Sequence, residues 1–346
     1  MSCTDCFAIE PVEDQGELRI RPYSIPLAAV IKAAGYEIAE VKSIGIIPYT
    51  SLEELMRLLK LLGGLQQQLT VPLALYITGT KGVISLNERW LSWEQLEIRF
   101  SHDNLINIIS NHDFCSYLQP IVNVTEEIVG FEFLLRPLQN GSYFQPHELF
   151  EIARQTGFHS FLDRAARVSA IESSAKLLPK GIKRFINFLP SSIYNPKYCL
   201  THTFEAMERL NQDPEDYVFE VVETEKIADI AHLQTIFAEY RRQGMHVALD
   251  DVGTGYSTVE LMCSLKPDYV KIDRALISFC DEDAVKQSAI LNIMSRAAEF
   301  GAKVLAEGIE RREEFLFCRD IGVDLAQGYL FGKPEEQPPA HFIYST

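Results

Sequence analysis

A series of short apolar runs, each carrying an acid, an amide or a lysine, restricts the fold of this chain more than any other feature of its sequence. The runs are Arg184–Phe188 with Asn187, Tyr217–Val222 with Glu220, Val247–Asp250, Tyr269–Ile272 with Lys271, and Lys303–Glu307. Each looks like a buried strand, and helical stretches such as His232–Gln243 and Asp283–Phe300 lie between them. Strand alternating with helix from about Phe114 onward predicts an α/β fold with a parallel sheet, closed at this length into a TIM-like (β/α) barrel. Ionised groups on buried strands must be paired or bind metal. The basic residues on these strands are too few to pair so many acids. In such barrels the catalytic groups come from the C-terminal ends of several strands. The pattern therefore points to an active site at the barrel mouth.

The first hundred residues read differently. Leu18–Ile20, Val71–Ile77 and Gly82–Leu86 are strand candidates. Ser51 is placed to cap a helix through Leu52–Leu59, with Glu54 at capping-box spacing and Gly63-Gly64 expected to end it. The expected division is a smaller N-terminal α+β domain over residues 1–100 and a barrel over residues 101–346. The apolar helix around Leu55 to Leu62 suggests that the smaller domain senses an input or sets a homodimer interface.

The formal net charge is -16 over 346 residues, with 47% hydrophobic content. So acidic a chain is poorly suited to gripping a nucleic-acid polymer or an anionic membrane. A phosphate substrate would need cations to cancel the repulsion, and divalent ions held by carboxylates supply them. The seven cysteines form no disulfide-like framework. With no charged start followed by an apolar run, and no stretch near the roughly 20 apolar residues of a membrane helix, a cytoplasmic protein is expected. Cys3 and Cys6 have the spacing of half a zinc site, with His102, His112 and Cys115 as distant partners, and an incidental pair is the simpler reading. Trp90 and Trp93 read as packing anchors.

The motif residues, taken together, resemble the EAL-domain family of cyclic di-GMP phosphodiesterases. The naming Glu-Ala-Leu appears here as Glu132-Phe133-Leu134. Gln119-Pro120-Ile121-Val122 resembles the first strand, and Asn187 the strand asparagine. Phe219–Glu223 resembles the Glu-x-x-Glu strand, and Asp250–Ser257 the double-aspartate loop. Lys271-Ile272-Asp273, Glu307–Glu310 and Gln327–Phe331 follow in order. Phe133, Val252, Val222 and Ile309 depart from the usual alanine, phenylalanine, threonine and valine. None of these changes removes an acid.

The resemblance implies two divalent ions, Mg²⁺ or Mn²⁺, and the residue chemistry agrees, since hard cations take carboxylate and amide oxygens. Glu132, Asn187, Glu220 and Asp250 would hold one ion. Asp250, Asp251 and Glu307 would hold the second, with Asp250 bridging. Lys271 would hold and polarise the attacking water, and its alternative is a salt bridge with Asp250 or Asp273. Glu307 would act as general base or orienting ligand. Glu223 would anchor the double-aspartate loop, with Asp273, Glu310 and Gln327 in support, Gln327 beside Glu307 or Lys271. Arg136 suits a phosphate, Gln119 a guanine edge, and Phe331 and Pro334 a guanine face. The expected reaction opens cyclic di-GMP to linear pGpG. The rivals are a catalytically silent cyclic di-GMP receptor or protein-interaction module, and a barrel enzyme acting on another phosphorylated substrate.

Overall fold

The computed structural model describes residues 12–66, 71–79, 90–221, 229–253 and 258–340. Cys3, Cys6, Glu223, the Gly82–Leu86 strand candidate and Gly255-Tyr256-Ser257 lie outside them. The chain divides into two compact units. The first runs to Asp113 and also takes in His147–His159, and the rest of the chain forms the second.

The first unit is a five-stranded antiparallel sheet. Its strands are β1 (Gly16–Arg21), β2 (Ala39–Val41), β3 (Ile44–Tyr49), β4 (Ala74–Gly79) and β5 (Leu91–Ser92), in the order β2-β3-β1-β4-β5. Alternation on β1 buries Leu18 and Ile20, which join Ile47, Leu75 and the helix residues Leu55, Leu58, Leu59 and Leu62 in one core. Leu55, Leu58, Leu59 and Leu62 of that helix are thus buried inside their own unit.

The helix spans Leu52–Gln66 and runs straight through Gly63-Gly64, contrary to the expected stop. Gly63 serves close packing instead, because a Cβ there would meet Trp93 Cζ2 at 2.4 Å. Gly63→Ala should therefore cost about 1–3 kcal/mol through overpacking. Urea denaturation will read the loss, and an unchanged midpoint would contradict it. At the other end Ser51 Oγ accepts from the Glu54 N–H at 3.1 Å, as expected. The Glu54 carboxylate does not return to Ser51. It accepts instead from the Thr50 N–H and hydroxyl, each at 2.7 Å. Trp90 lies under the Arg21 guanidinium at 4.2 Å.

The second unit is a closed eight-stranded barrel. Its strands are β6 (Phe114–Asn123), β7 (Ile128–Pro137), β8 (Lys183–Phe188), β9 (Tyr217–Val221), β10 (His246–Val252), β11 (Tyr269–Ile272), β12 (Lys303–Ala306) and β13 (Leu325–Gln327). From β7 round to β13 neighbouring strands are parallel, as the alternating pattern requires. The exception is β6, antiparallel to both β7 and β13. Only Val124–Glu127 separates β6 from β7, which is enough for a hairpin and too short for a crossover helix.

The period of two along each strand then sets the barrel interior. Ile121, Phe185, Val218, Ala248, Tyr269, Leu305 and Leu325 form one buried apolar layer. Two residues beyond six of them come Asn187, Glu220, Asp250, Lys271, Glu307 and Gln327. These polar residues therefore share the interior face one step nearer the C-terminal mouth. The helices Ile230–Arg242 and Ala284–Ala298 match the expected ones to within two residues. Among the described residues no helix is long and apolar enough to cross a membrane.

Candidate active site

Lys271 is the centre of the polar layer. It is 1% exposed, and its Nζ lies 2.9 Å from Asp250 Oδ1 and 2.8 Å from Glu307 Oε1. It also contacts Glu220 Oε2, and Glu132 Oε1 is 3.8 Å away. The ammonium is thus shared among four strands' acids and does not pair with Asp273.

Glu132 is held from both sides. Asn187 Nδ2 donates to its Oε1 at 3.0 Å, and Gln327 Nε2 donates to its Oε2 at 2.8 Å. Gln327 therefore supports Glu132 and not the expected Glu307 or Lys271. Barrel closure explains this, since β13 and β7 both flank β6.

The double aspartate depends on an irregularity. Consecutive strand residues normally face opposite ways. The pairing of β10 with β11 shifts register between Leu249 and Val252, and Asp251 takes a left-handed φ of 54°. A bulge of this kind re-aims side chains. Ligand oxygens of Asp250, Asp251 and Glu307 consequently all lie within 4.8 Å of one another. Asp251 also shares a side-chain hydrogen bond with Asp273, whose carboxylate accepts from the Ala275 N–H at 2.8 Å.

The electrostatics are unbalanced. Glu132, Glu220, Asp250, Asp251 and Glu307 are five carboxylates around one ammonium, which leaves four negative charges uncompensated when all are ionised. Burial drives the Glu220 and Glu307 carboxyls well above the ordinary range, and neighbouring acids add to it, against the pull of Lys271. Burial, Asp250 and Asp273 push Asp251 up to about 7. Glu132 goes the other way: burial opposes its charge, but Lys271, Gln327 and Asn187 hold its carboxyl below the usual range. The same acids keep Lys271 firmly protonated despite its burial. Glu220 Oε1 and Gln327 Oε1 are buried acceptors with no donor. Unsatisfied acceptors beside excess negative charge are what a divalent cation would satisfy.

The remaining expected residues make other contacts, although Gln119 is the cross-strand partner of Glu132. Gln119 Nε2 donates to the Gly332 carbonyl at 3.3 Å, and Arg136 donates to the Leu135 carbonyl at 2.8 Å. The Phe331 ring meets Phe315 edge-on at 5.1 Å. Glu310 is exposed and pairs with Arg274 at 2.7 Å. Pro334 is half-buried near the end of the described chain.

One supporting acid escaped the sequence reading. Asp163 is 2% exposed in the helix His159–Leu177. It accepts from the Leu189 N–H at 2.9 Å and contacts Ser192 Oγ and Arg167. It thereby fixes the turn that leaves β8 just past Asn187. Its position between Phe161-Leu162 and Ala165, on the apolar face of that helix, is the available signal.

An acidic ring at the C-terminal mouth of an eight-stranded barrel is the arrangement of an α/β-barrel protein whose functional site lies at the C-terminal ends of its strands. The EAL domain family matches residues 102–334, and the chain belongs to that family. The probable cyclic di-GMP phosphodiesterase PdeB of Escherichia coli is 30% identical over 68% of this chain and 45% of its own length. The cyclic di-GMP phosphodiesterase PdeL of the same organism is 28% identical over 65% of this chain and 64% of its own. This chain thus spans about half the length of the first curated relatives it matches. A standalone EAL protein from Vibrio cholerae, solved with c-di-GMP bound, is 37% identical over 66% of this chain and 94% of that chain, with a TM-score of 0.60. BlrP1 of Klebsiella pneumoniae, solved with calcium and cyclic di-GMP, covers 93% of this chain and 96% of that one at 20% identity and a TM-score of 0.59, a likeness of fold.

Proposed function

We propose that this chain is a metal-dependent phosphodiesterase that hydrolyses cyclic di-GMP to pGpG. The observation that carries the reading is a ring of five carboxylates beside the buried Lys271, with Glu132 and Glu220 buried, Asp250 and Glu307 half-buried and Asp251 exposed, and with a deficit that two divalent cations match. Bound Mg²⁺ or Mn²⁺ would neutralise the phosphate and supply a nucleophilic water. Glu132, Asn187, Glu220 and Asp250 would hold one ion, and Asp250, Asp251 and Glu307 the other. Water adds to phosphorus, the P–O3′ bond breaks, and the 3′ oxygen takes a proton from solvent, balanced by the one the water gives up. Lys271 holds the attacking water from the ring's centre, and Glu307 orients it and receives its proton. Arg136 would bind a phosphate oxygen, while Gln119, Phe331 and Pro334 would face the bases. The c-di-GMP bound to the Vibrio cholerae relative supports this substrate class.

A silent receptor has no need of the full acid set, so its retention favours turnover. The ion count is testable by calorimetric Mn²⁺ titration of the intact chain. Two ions per chain are expected at pH 8, and one or none would undo the two-ion arrangement. Ion binding requires deprotonated carboxylates. Asp251, at about 7, and Glu220 and Glu307, both raised well above the ordinary carboxylate range, must therefore release protons as ions bind. Affinity should fall from pH 8 to pH 6, with proton release visible as a buffer-dependent heat. Equal affinity at both pH values would contradict the raised carboxyls.

A further inference from the structure

Glu314 lies outside the carboxylate ring, yet it is 2% exposed and its carboxylate is fully engaged. It stands in the first turn of the helix Arg312–Asp320. Its Oε1 accepts from the Phe279 N–H at 2.9 Å, and its Oε2 accepts from the Glu310 and Arg311 N–H groups, each at 3.0 Å. Burial opposes the charge, and these three donors hold it ionised. The Arg311 and Glu310 bonds cap its own helix. The Phe279 bond does something else, because Phe279 belongs to the segment that leaves β11, 35 residues earlier.

That bond joins two segments of the mouth. One leaves β11 just past Lys271 and carries Asp273. The other, Glu307–Arg311, leaves β12. Further contacts clamp the second segment. The Glu307 N–H donates to the Ile272 carbonyl at 3.1 Å, and the Ile309 N–H to the Gln327 carbonyl at 3.0 Å. Gly328 permits that approach, since a Cβ there would meet Ile309 O at 2.0 Å. Arg311 reinforces the join by lying 4.6 Å over the Phe279 ring and pairing with Asp281 at 3.2 Å.

We propose that Glu314 is a positioning residue for Glu307, its buried carboxylate fixing the segment that carries Glu307 against the segment that follows Lys271. The inference rests on the reading of the ring as an ion site. Groups that orient metal ligands from behind commonly cost 10–100-fold in affinity or activity when removed. Glu314→Gln keeps one acceptor oxygen but turns an NH₂ toward either Phe279 or the Glu310–Arg311 pair, so it preserves only part of the tie. Asp283→Ala is the control. Asp283 also caps a helix, accepting from Val285 and Lys286, and has no place in the ring.

The test is Mn²⁺ affinity by calorimetry on the full chain, with thermal melting of the metal-free proteins and kcat and KM on cyclic di-GMP. Glu314→Ala should weaken Mn²⁺ binding about 10–100-fold and lower kcat more than it raises KM. Glu314→Gln should fall between it and the unmodified chain, and it carries the test if the alanine variant does not fold. Asp283→Ala should lower the melting temperature and leave Mn²⁺ affinity unchanged. If the Glu314 variants melt lower but bind Mn²⁺ as tightly as the unmodified chain, the residue is a helix cap only and the proposal is overturned. If the unmodified chain itself binds no Mn²⁺, the ion-site reading falls and this inference falls with it.

Discussion

Glu307→Ala should lower the turnover of cyclic di-GMP by about 10³-fold while leaving nucleotide binding nearly intact. The residue combines two roles in the proposed site. Its oxygen is within 4.8 Å of Asp250 and Asp251 oxygens, and 2.8 Å from Lys271 Nζ. Removing it takes away an ion ligand and the proton acceptor together. Metal stabilisation of the transition state is worth several kcal/mol, and each 1.36 kcal/mol is tenfold in rate. The residues proposed to face the bases, Gln119, Phe331 and Pro334, are other ones, so affinity for the nucleotide should change far less than kcat. Steady-state kinetics with Mg²⁺ or Mn²⁺ will decide, and hydrolysis at the rate of the unmodified chain would remove Glu307 from the mechanism.

Lys271→Met carries the largest expected effect on stability. The ammonium is buried among acids on four strands, and its loss leaves their carboxylates uncompensated. Breaking a buried ion pair from one side costs about 3–5 kcal/mol. The sign of the pH dependence follows from the raised carboxyls. A carboxyl whose folded value exceeds its unfolded value favours the folded state at low pH, and this contribution is lost as pH rises through the folded value. Glu220 and Glu307 are raised already, and without Lys271 they rise further. The metal-free variant should therefore lose most stability at pH 8 and much less at pH 5, where the ring can take up protons. Mn²⁺ should restore part of the loss at pH 8. Urea melts at the two pH values, with and without Mn²⁺, will show this. A loss of equal size at both would mean that charge in the ring is not what the lysine balances.

Much of the barrel was legible because its inner layers repeat. Phe185 and Asn187, Val218 and Glu220, Ala248 and Asp250, Tyr269 and Lys271, and Leu305 and Glu307 each set an apolar residue two positions before a polar one. That spacing shows in the chain itself. The hairpin of β2 and β3 was not legible. Its turn puts Lys42 and Ser43 at φ values of 51° and 64°, where an Asn-Gly pair would have announced a hairpin. β3 also contains Gly45 and Pro48, both poor strand signals. Contacts made by closure were hidden for another reason. Gln327 reaches Glu132 across 195 positions, and Glu314 reaches Phe279 across 35. No local spacing encodes either. The β10 bulge lay between these extremes, since Asp250-Asp251 was plain in the sequence but the left-handed backbone that lets both reach the mouth was not.

The most direct test of the central claim is product analysis. The intact chain is incubated with cyclic di-GMP and Mn²⁺, with a parallel sample in excess chelator, and the nucleotides are separated by chromatography. The carboxylate ring predicts pGpG in the first sample and intact cyclic di-GMP in the second. Cyclic di-GMP that binds the protein but survives unchanged with Mn²⁺ would contradict it and leave a receptor built on the same barrel.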